Sequence, residues 1–218
     1  MRGDRGSLRA HWDDVHSGAS MQQPSWFQPQ AQVSITLVKT LGVTPGDAVV
    51  DVGGGSSRLV DDLLVRRFHD ITVLDISPVA LAAAQTRLAA VSGVEWIAAD
   101  LLRWRPSRTF ALWHDRAVLH FLTADADRDR YLSVLRAATA VGSGVVIGVF
   151  AADGATSCSG LPTRRYTAEA LLELLGDGFA EVATVREEHM TPAGAVQPFT
   201  WLAARRTDLA PDLAPDRA

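Results

Sequence analysis

The sequence has almost no cysteine and no long apolar run. Its one cysteine, Cys158, excludes an intramolecular disulfide and a cysteine-rich metal site, and we expect no bound metal. No stretch approaches the roughly 18 apolar residues that a membrane-spanning helix needs, and the N-terminus has no apolar segment of the kind found in secretory signals. These absences predict a soluble cytoplasmic protein with no membrane partner.

A basic excess is also absent. The 218 residues carry 25 acidic side chains against 21 lysines and arginines, a net charge of −4. Proteins that bind nucleic acid by neutralising phosphates need positive charge, so we expect no nucleic-acid partner. The length predicts one domain, and a hydrophobic fraction of 47% is enough for a sizeable core.

The most informative stretch is 48–62, AVVDVGGGSSRLVDD. An apolar run ends at Asp51, the glycines Gly53, Gly54 and Gly55 follow, and a helical pattern begins after them. A buried parallel strand that turns through glycine into a helix is the first half of a nucleotide-binding unit. Glycine permits the sharp turn and lets a ligand approach the backbone.

The rest of the chain alternates strands with helices. Predicted strands after the first lie at 71–74, 94–97, 110–113, 144–150, 179–186 and 198–204. The alternation predicts a parallel sheet with helices on both faces, and the last two strands, joined by only a turn, form an antiparallel pair. We therefore predict an α/β fold: a doubly wound, mostly parallel seven-stranded sheet with a C-terminal antiparallel β-hairpin.

The glycine turn alone does not decide which cofactor binds. The dinucleotide fingerprint needs a third glycine where this chain has Arg58, which weakens NAD and FAD. Asp51, just before the turn, would repel a diphosphate and attract the ammonium group of S-adenosylmethionine. Asp75, ending the second strand, stands where an acid binds the ribose hydroxyls of either cofactor. Asp100 follows the third strand, so three acids meet at the edge where open α/β folds bind ligands.

These motifs resemble those of the class I S-adenosylmethionine-dependent methyltransferases. DVGGG is similar to the first motif of that family, with Ser57 in place of its third glycine, and the order of elements matches over about residues 45–206. The resemblance implies S-adenosyl-L-methionine as the cofactor. It also implies that Asp100 meets the adenine amino group, that Leu101 lies against the ring, and that Ile76 contacts the cofactor.

The N-terminal segment carries a narrower resemblance. HWDDVH and SWFQ are similar to segments of the lysine methyltransferases of citrate synthase and elongation factors, which fold over the methionine end of the cofactor. By this resemblance Trp12 and Trp26 contact the cofactor, with His16 standing where a tyrosine is usual. From the residues alone, the two tryptophans either form a lid over a ligand or only pin the arm onto the domain.

The fourth strand leads into a cluster of candidate residues for the methyl acceptor. Trp113 and Arg116 are predicted to bind the acceptor, and His114, Asp115 and His120 are candidate catalytic bases or orienting groups. The structural alternatives are an ion pair between Asp115 and Arg116 and a packing role for His120. Methyl transfer depends mainly on alignment, so a site without a clear base would still be competent.

The loop after the fifth strand lies at the same edge of the predicted sheet. Cys158 and Arg164 from this loop, with His189 from the hairpin region, are predicted to line the acceptor pocket. An arginine suits a carboxylate or a phosphate. The alternative for Arg164 is a solvated position at the surface.

We predict a methyltransferase that acts on a small-molecule acceptor, because the chain is compact and has no extra docking domain. A protein-lysine methyltransferase and a catalytically silent cofactor-binding module are the alternatives, and an NAD-type oxidoreductase is disfavoured. The predicted parts are an arm and helix covering the cofactor site (1–44), the methyltransferase domain (45–206) and a disordered tail (207–218).

Overall fold

The computed structural model describes residues 5–17, 24–88 and 91–207. Its helices are α1 (Arg5–Ser17), α2 (Gln32–Thr40), α3 (Leu59–Val65), α4 (Pro78–Arg87), α5 (Asp125–Ala138) and α6 (Ala168–Leu175), with a 3-10 helix at Leu119–Phe121. Its strands are β1 (Val49–Val52), β2 (Ile71–Asp75), β3 (Val94–Ala98), β4 (Phe110–Arg116), β5 (Thr139–Phe150), β6 (Ser157–Cys158), β7 (Leu161–Pro162), β8 (Phe179–Met190) and β9 (Val196–Arg206). Apart from Thr207, the predicted tail lies outside the described residues. Within these ranges, no helix is long and apolar enough to cross a membrane.

Seven of the strands form one sheet in the order β3-β2-β1-β4-β5-β9-β8. The strands β1 to β5 are parallel, whereas β9 is antiparallel to both β5 and β8. The predicted doubly wound sheet with its C-terminal antiparallel hairpin is therefore confirmed. In addition, β6 and β7 form a separate two-stranded ribbon inside the segment that the sequence predicted as a loop.

Local sequence signals explain where the helices begin and end. The Ser77 hydroxyl accepts a hydrogen bond from the Ala80 N–H at 3.1 Å, and Pro78 occupies the first helical position, so α4 begins there. Thr167 caps α6 in the same way, and Gly176, with φ of 78°, ends it. These helices lie between strands and cover the sheet.

The hydrophobic core has one half on each face of the sheet, and β4 contributes side chains to both halves. Trp113 packs with residues of α5 and α6 on one face of the sheet, and Leu112 packs with residues of α2 and α3 on the other. Successive side chains of a strand point to opposite faces, so each residue at the end of β4 belongs to one face or the other. The neighbouring β1 and β4 also mark the point where the strand order reverses, which is where open α/β sheets bind ligands.

Candidate active site

A cavity of about 1340 Å³ opens at the carboxyl ends of β1, β2 and β4. This volume exceeds the roughly 300–1,000 Å³ of most ligand pockets, so the cavity has room for two ligands side by side. All the residues that the sequence predicts to bind the cofactor line it, namely Trp12, Trp26, Asp51, Gly53, Gly54, Gly55, Asp75, Ile76, Asp100 and Leu101. The structure thus brings them into one space, and their contacts with a cofactor stay a prediction.

The glycine turn after β1 has no room for side chains. Gly53 has φ of 67°, and a Cβ built on it would collide with the Val118 side chain. A Cβ on Gly54 would lie 2.5 Å from Asp51 Oδ2, and one on Gly55 would lie 2.7 Å from Asp75 Oδ2. The bare backbone therefore packs directly beside two carboxylates, and any larger residue would displace them.

Asp51 is buried and uses only one of its two oxygens. Its Oδ1 lies 2.7 Å from His114 Nδ1, which donates to the carboxylate, and His114 Nε2 lies 2.9 Å from the Ser34 hydroxyl. Asp51 Oδ2 is buried and has no hydrogen-bond partner among the described residues. His114 thus fixes the Asp51 side chain, while the unpaired oxygen is left beside the glycine turn as a site for a cation.

Asp75 and Asp100 follow the next two strands at the same edge. Asp75 Oδ1 accepts a hydrogen bond from the Ser77 N–H at 2.8 Å, and burial raises the pKa of this carboxyl from 3.8 to about 6, with the nearby charge of Asp51 acting in the same direction. Asp100 Oδ1 accepts from the Leu102 N–H at 3.0 Å. Backbone hydrogen bonds therefore orient both acids at the cavity edge.

Helix α1 forms a wall of the cavity. The Trp12 ring meets Phe121 edge-on at a centroid distance of 5.2 Å and Trp26 at 6.0 Å. The helix is attached to the domain where the Ser77 hydroxyl donates to Asp13 Oδ1 at 2.6 Å. The tryptophans therefore pack on the domain and line the cavity at the same time, so the two alternatives drawn from the sequence are not exclusive.

The predicted cluster at the end of β4 is divided between two faces of the sheet. Trp113 Nε1 donates to the Tyr131 hydroxyl at 3.1 Å, and this hydroxyl donates to Asp115 Oδ2 at 2.8 Å. Asp115 also accepts from the backbone N–H groups of Val118 and Leu119, at 2.8 and 3.1 Å. Neither Trp113 nor Asp115 lines the cavity. Their predicted acceptor-binding and catalytic roles are therefore wrong, because strand alternation turns both side chains toward α5.

Arg116 lies on the cavity face, so it forms no ion pair with Asp115 on the opposite face. One guanidinium nitrogen, Nη1, donates to the Trp26 carbonyl at 2.8 Å, and Cζ lies 5.1 Å from the centre of the Phe199 ring. Burial lowers the pKa of Arg116 to about 10, which leaves it protonated at neutral pH. The cavity therefore contains a buried positive charge.

His120 lines the cavity as a neutral donor. Its Nδ1 accepts a long hydrogen bond, 3.4 Å, from the Phe150 N–H, which assigns the ring proton to Nε2. Burial, with the charge of Arg116, lowers the pKa of His120 to about 3. Because Nε2 carries the proton, the atom left for a ligand is a donor, and the predicted role of His120 as a base is not supported by this arrangement.

Of the remaining candidates, only Cys158 lines the cavity. It is partly buried, and burial raises the pKa of its thiol. Arg164 is exposed and lies over the Tyr166 ring at 5.6 Å, as the solvated alternative predicts. His189 is turned away, with Nε2 2.7 Å from the Ser25 carbonyl. The prediction that Arg164 and His189 line the acceptor pocket is wrong, because each side chain packs on its own surroundings instead.

Three residues that support the site, Ser34, Phe121 and Asp13, were not predicted from the sequence. Ser34 holds His114 from the middle of the buried side of α2, and a lone serine within that apolar stripe was a detectable signal. Phe121 contacts Trp12 of α1, and Asp13 of α1 accepts from the Ser77 hydroxyl at the start of α4. The positions of Phe121 and Asp13 in the sequence carry no such signal.

Two sequence comparisons point to the same family. Residues 49–142 match the family described as "Methyltransferase domain". EEF1A lysine methyltransferase 4 of Mus musculus is 33% identical over 92 residues, which cover 42% of this chain and 35% of the relative. The match therefore spans about a third of the relative's length.

Solved structures share the fold over nearly the whole chain. An S-adenosylmethionine-dependent methyltransferase from Anabaena variabilis has a TM-score of 0.73 and 15% identity, covering 93% of this chain and 94% of that chain. A 1,6-didemethyltoxoflavin N1-methyltransferase from Burkholderia thailandensis, solved with 1,6-didemethyltoxoflavin and S-adenosylhomocysteine, has a TM-score of 0.69 and 22% identity, covering 94% and 87%. At identities this low the likeness shows the fold. The chain therefore shares the class I, Rossmann-like methyltransferase fold, and its residues 49–142 match the methyltransferase-domain family.

Proposed function

We propose that the protein binds S-adenosyl-L-methionine and transfers its methyl group to a small-molecule acceptor. The observation that carries the proposal is the unpaired Asp51 Oδ2 beside the three-glycine turn. A buried carboxylate oxygen without a partner suits an ammonium group, and it would repel the diphosphate of NAD. The methyltransferase-domain match over residues 49–142 supports the same cofactor.

Each part of the cofactor has candidate partners in the cavity. Asp51 would hold the ammonium group, Asp75 the ribose hydroxyls, and Asp100 with Leu101 the adenine, while Trp12 and Trp26 would cover the cofactor from the N-terminal side. Ile76 and the backbone of the glycine turn, which also line the cavity, would contact the cofactor as well. In domain terms, we propose that 1–44 covers the cofactor site and that 45–206 is the methyltransferase domain.

Catalysis would depend on alignment and on exclusion of water. When bound, S-adenosylmethionine supplies a methyl group activated by a sulfonium. Both ring nitrogens of His114 have partners, and His120 offers a donor, so neither is arranged as a general base. Holding the acceptor in line with the methyl group contributes much of the rate in such reactions. The aromatic residues Trp12, Trp26 and Phe121 would keep water from the reacting atoms.

The buried positive charge favours a small molecule over a protein lysine as the acceptor. A lysine side chain would bring its own ammonium group toward Arg116, and like charges repel strongly where water is scarce. The neighbour from Burkholderia thailandensis acts on 1,6-didemethyltoxoflavin, a small molecule, on the same fold. The lysine alternative is supported by the partial similarity to EEF1A lysine methyltransferase 4 and by the resemblance of the N-terminal segment to lysine methyltransferases.

Calorimetry with S-adenosylhomocysteine and with NAD tests the cofactor. We expect S-adenosylhomocysteine to bind and NAD not to bind. Asp51→Asn should weaken S-adenosylhomocysteine by at least about tenfold, because it removes the charge that faces the ammonium group. Asp153→Asn is the matched control, since Asp153 is an exposed acid that lies outside the cavity.

Binding of NAD in place of S-adenosylhomocysteine would contradict the proposal. Equal affinity of Asp51→Asn and wild type would mean that the ammonium group lies elsewhere. A screen with labelled S-adenosylmethionine on cell lysate then separates the acceptor classes. Label in the small-molecule fraction supports our proposal, labelled protein bands support a lysine acceptor, and no label in either fraction supports a catalytically silent module.

A further inference from the structure

One edge of the Arg116 guanidinium has no partner in the part of the chain that the structure describes. Nε and Nη2 are both buried and have no hydrogen-bond partner among the described residues. These two nitrogens lie on the same edge of the planar group and point their N–H bonds in parallel. Such an edge matches the two oxygens of a carboxylate, which arginine binds through two parallel hydrogen bonds.

The other parts of the side chain are held in place. Nη1 is bonded to the Trp26 carbonyl at 2.8 Å, and the plane of the group lies over Phe199 with Cζ 5.1 Å from the ring centre. The unpaired edge is therefore oriented before any ligand arrives. Preorganisation of this kind favours binding, because little side-chain freedom is lost when the ligand binds.

Within the described ranges, no carboxylate is hydrogen-bonded to Nε or Nη2 of this guanidinium. Glu187 is the acid that acts most strongly on Arg116, but its two oxygens already accept from Gln28 Nε2 at 2.6 Å and from Trp201 Nε1 at 2.7 Å. A buried guanidinium with two unused donors is costly for the fold. Such a group is explained if a ligand supplies the missing anion.

A second unpaired donor lies in the same wall of the cavity. His120 Nε2 is buried without a partner within the described ranges, and the hydrogen bond from the Phe150 N–H to Nδ1 assigns the proton to Nε2. The His120 ring packs on Phe150 at 4.6 Å, and Phe150 in turn contacts Phe199 at 5.0 Å, the ring that lies under the Arg116 guanidinium. The wall therefore offers two kinds of donor, and both suit an anionic oxygen.

We infer that Arg116 binds a carboxylate carried by the methyl acceptor, with His120 Nε2 as a neighbouring donor. This inference rests on the proposed function, and it narrows the acceptor to carboxylic acids. The cofactor also has a carboxylate, on its methionine part. We assign the site to the acceptor because Arg116 lies over Phe199 of β9, beyond β5 from the glycine turn, and because the cavity has room for two ligands.

Small carboxylates test the inference without knowledge of the acceptor. We would titrate acetate and benzoate, and their uncharged amides acetamide and benzamide, into protein saturated with S-adenosylhomocysteine. The methionine carboxylate is then already in place, so an acid that binds must occupy a second anion site. We expect both acids to bind and both amides to fail.

Three variants relate this binding to the guanidinium edge. Arg116→Met should weaken the acids by at least about tenfold and leave the affinity for S-adenosylhomocysteine within about twofold, which also shows that the variant folds. Arg116→Lys, which keeps the charge and loses the paired donors, should give an intermediate affinity. Arg165→Met, at an exposed arginine outside the cavity, is the matched control and should bind acids like wild type.

The possible failures are distinguishable. If wild type does not bind S-adenosylhomocysteine, the proposed function fails. If wild type binds S-adenosylhomocysteine but no acid, or if Arg116→Met keeps acid binding, the inference fails and the proposed function stands. If Arg116→Met instead loses S-adenosylhomocysteine, Arg116 holds the carboxylate of the cofactor, and our assignment to the acceptor is overturned.

Discussion

The two faces of β4 both carry buried polar groups, and they differ in how completely these groups are hydrogen-bonded. On the face toward α5, Trp113, Tyr131 and Asp115 form a continuous chain, and both oxygens of Asp115 accept hydrogen bonds. On the cavity face, Asp51 and Arg116 have buried atoms with no partner among the described residues. Trp113, Asp115 and Arg116 belong to β4, and Asp51 lies on the neighbouring strand β1, so the two sets of groups differ mainly in the face of the sheet that they occupy.

The difference separates structural polar groups from binding groups. A polar atom buried without a partner costs free energy, and folded proteins leave few such atoms unpaired. The complete chain through Asp115 stabilises the turn after β4. The unpaired atoms of Asp51 and Arg116 instead lower stability and are available to a ligand. Substitutions on the two faces should therefore have opposite effects on stability and on binding.

The largest expected effect is loss of stability in Asp115→Ala. The change leaves the Tyr131 hydroxyl and two backbone N–H groups buried without an acceptor, so we expect the free energy of unfolding to fall by about 2–4 kcal/mol. Urea unfolding measures this loss. Calorimetry below the unfolding transition should still show S-adenosylhomocysteine binding within a few-fold of wild type. Asp153→Ala, at an exposed acid, is the control and should leave stability nearly unchanged.

If Asp115→Ala leaves the free energy of unfolding unchanged, the hydrogen-bonded chain on the α5 face does not stabilise the protein. If the variant is as stable as wild type but no longer binds S-adenosylhomocysteine, Asp115 acts in the binding site, and the assignment of the two faces is reversed.

A smaller effect of opposite sign is expected from Arg116→Met. Methionine is apolar and follows the arginine stem to about the position of Nε, and it removes a buried charge whose Nε and Nη2 have no partner among the described residues. Replacing poorly compensated buried charges by apolar side chains is often neutral or stabilising, so we expect the free energy of unfolding to stay the same or to rise by about 1 kcal/mol. Urea unfolding without ligands measures it. A loss comparable to that of Asp115→Ala would mean that Arg116 mainly supports the fold.

The sequence was sufficient to predict the fold and to predict that Asp51, Asp75 and Asp100 meet at one edge of the sheet. Asp51, Asp75 and Asp100 each follow a parallel strand, and the carboxyl ends of neighbouring parallel strands meet at one edge. Local patterns of apolar residues, glycine and acid therefore determine which side chains come together. The methyltransferase prediction, which rested on these patterns, is confirmed by the family match.

The positions of the residues predicted for the methyl acceptor were harder to predict, because they depend on which face of the sheet each side chain occupies. The fourth strand was predicted to end at Trp113, whereas β4 continues to Arg116, and the alternation within this extra length places His114 and Asp115 on opposite faces. Arg164 and His189 lie on segments whose orientation is set by contacts far apart in sequence, such as the bond between His189 and Ser25. No local pattern encodes such contacts.

The smallest expected effect concerns two carboxyls with similar pKa values on different faces. Burial raises the pKa of both Asp75 and Asp115 from 3.8 to about 6. Each therefore binds its proton more tightly in the folded than in the unfolded state, and each makes the free energy of unfolding fall as the pH rises from about 4 to about 6. Only Asp75 lines the cavity, so only Asp75 should change its titration when the cofactor binds.

We expect the affinity for S-adenosylhomocysteine to fall as the pH falls below about 6, because ribose hydroxyls donate to the ionised form of Asp75. The fall cannot exceed about tenfold per pH unit for one group, and calorimetry on both sides of this pKa measures it. Asp75→Asn should bind more weakly at neutral pH and lose most of the pH dependence, whereas Asp115→Asn should keep it. If the pH dependence persists in Asp75→Asn, a group other than Asp75 is responsible for it. The ribose would then not be bound at the end of β2, and the difference between the two faces would rest on Asp51 and Arg116 alone.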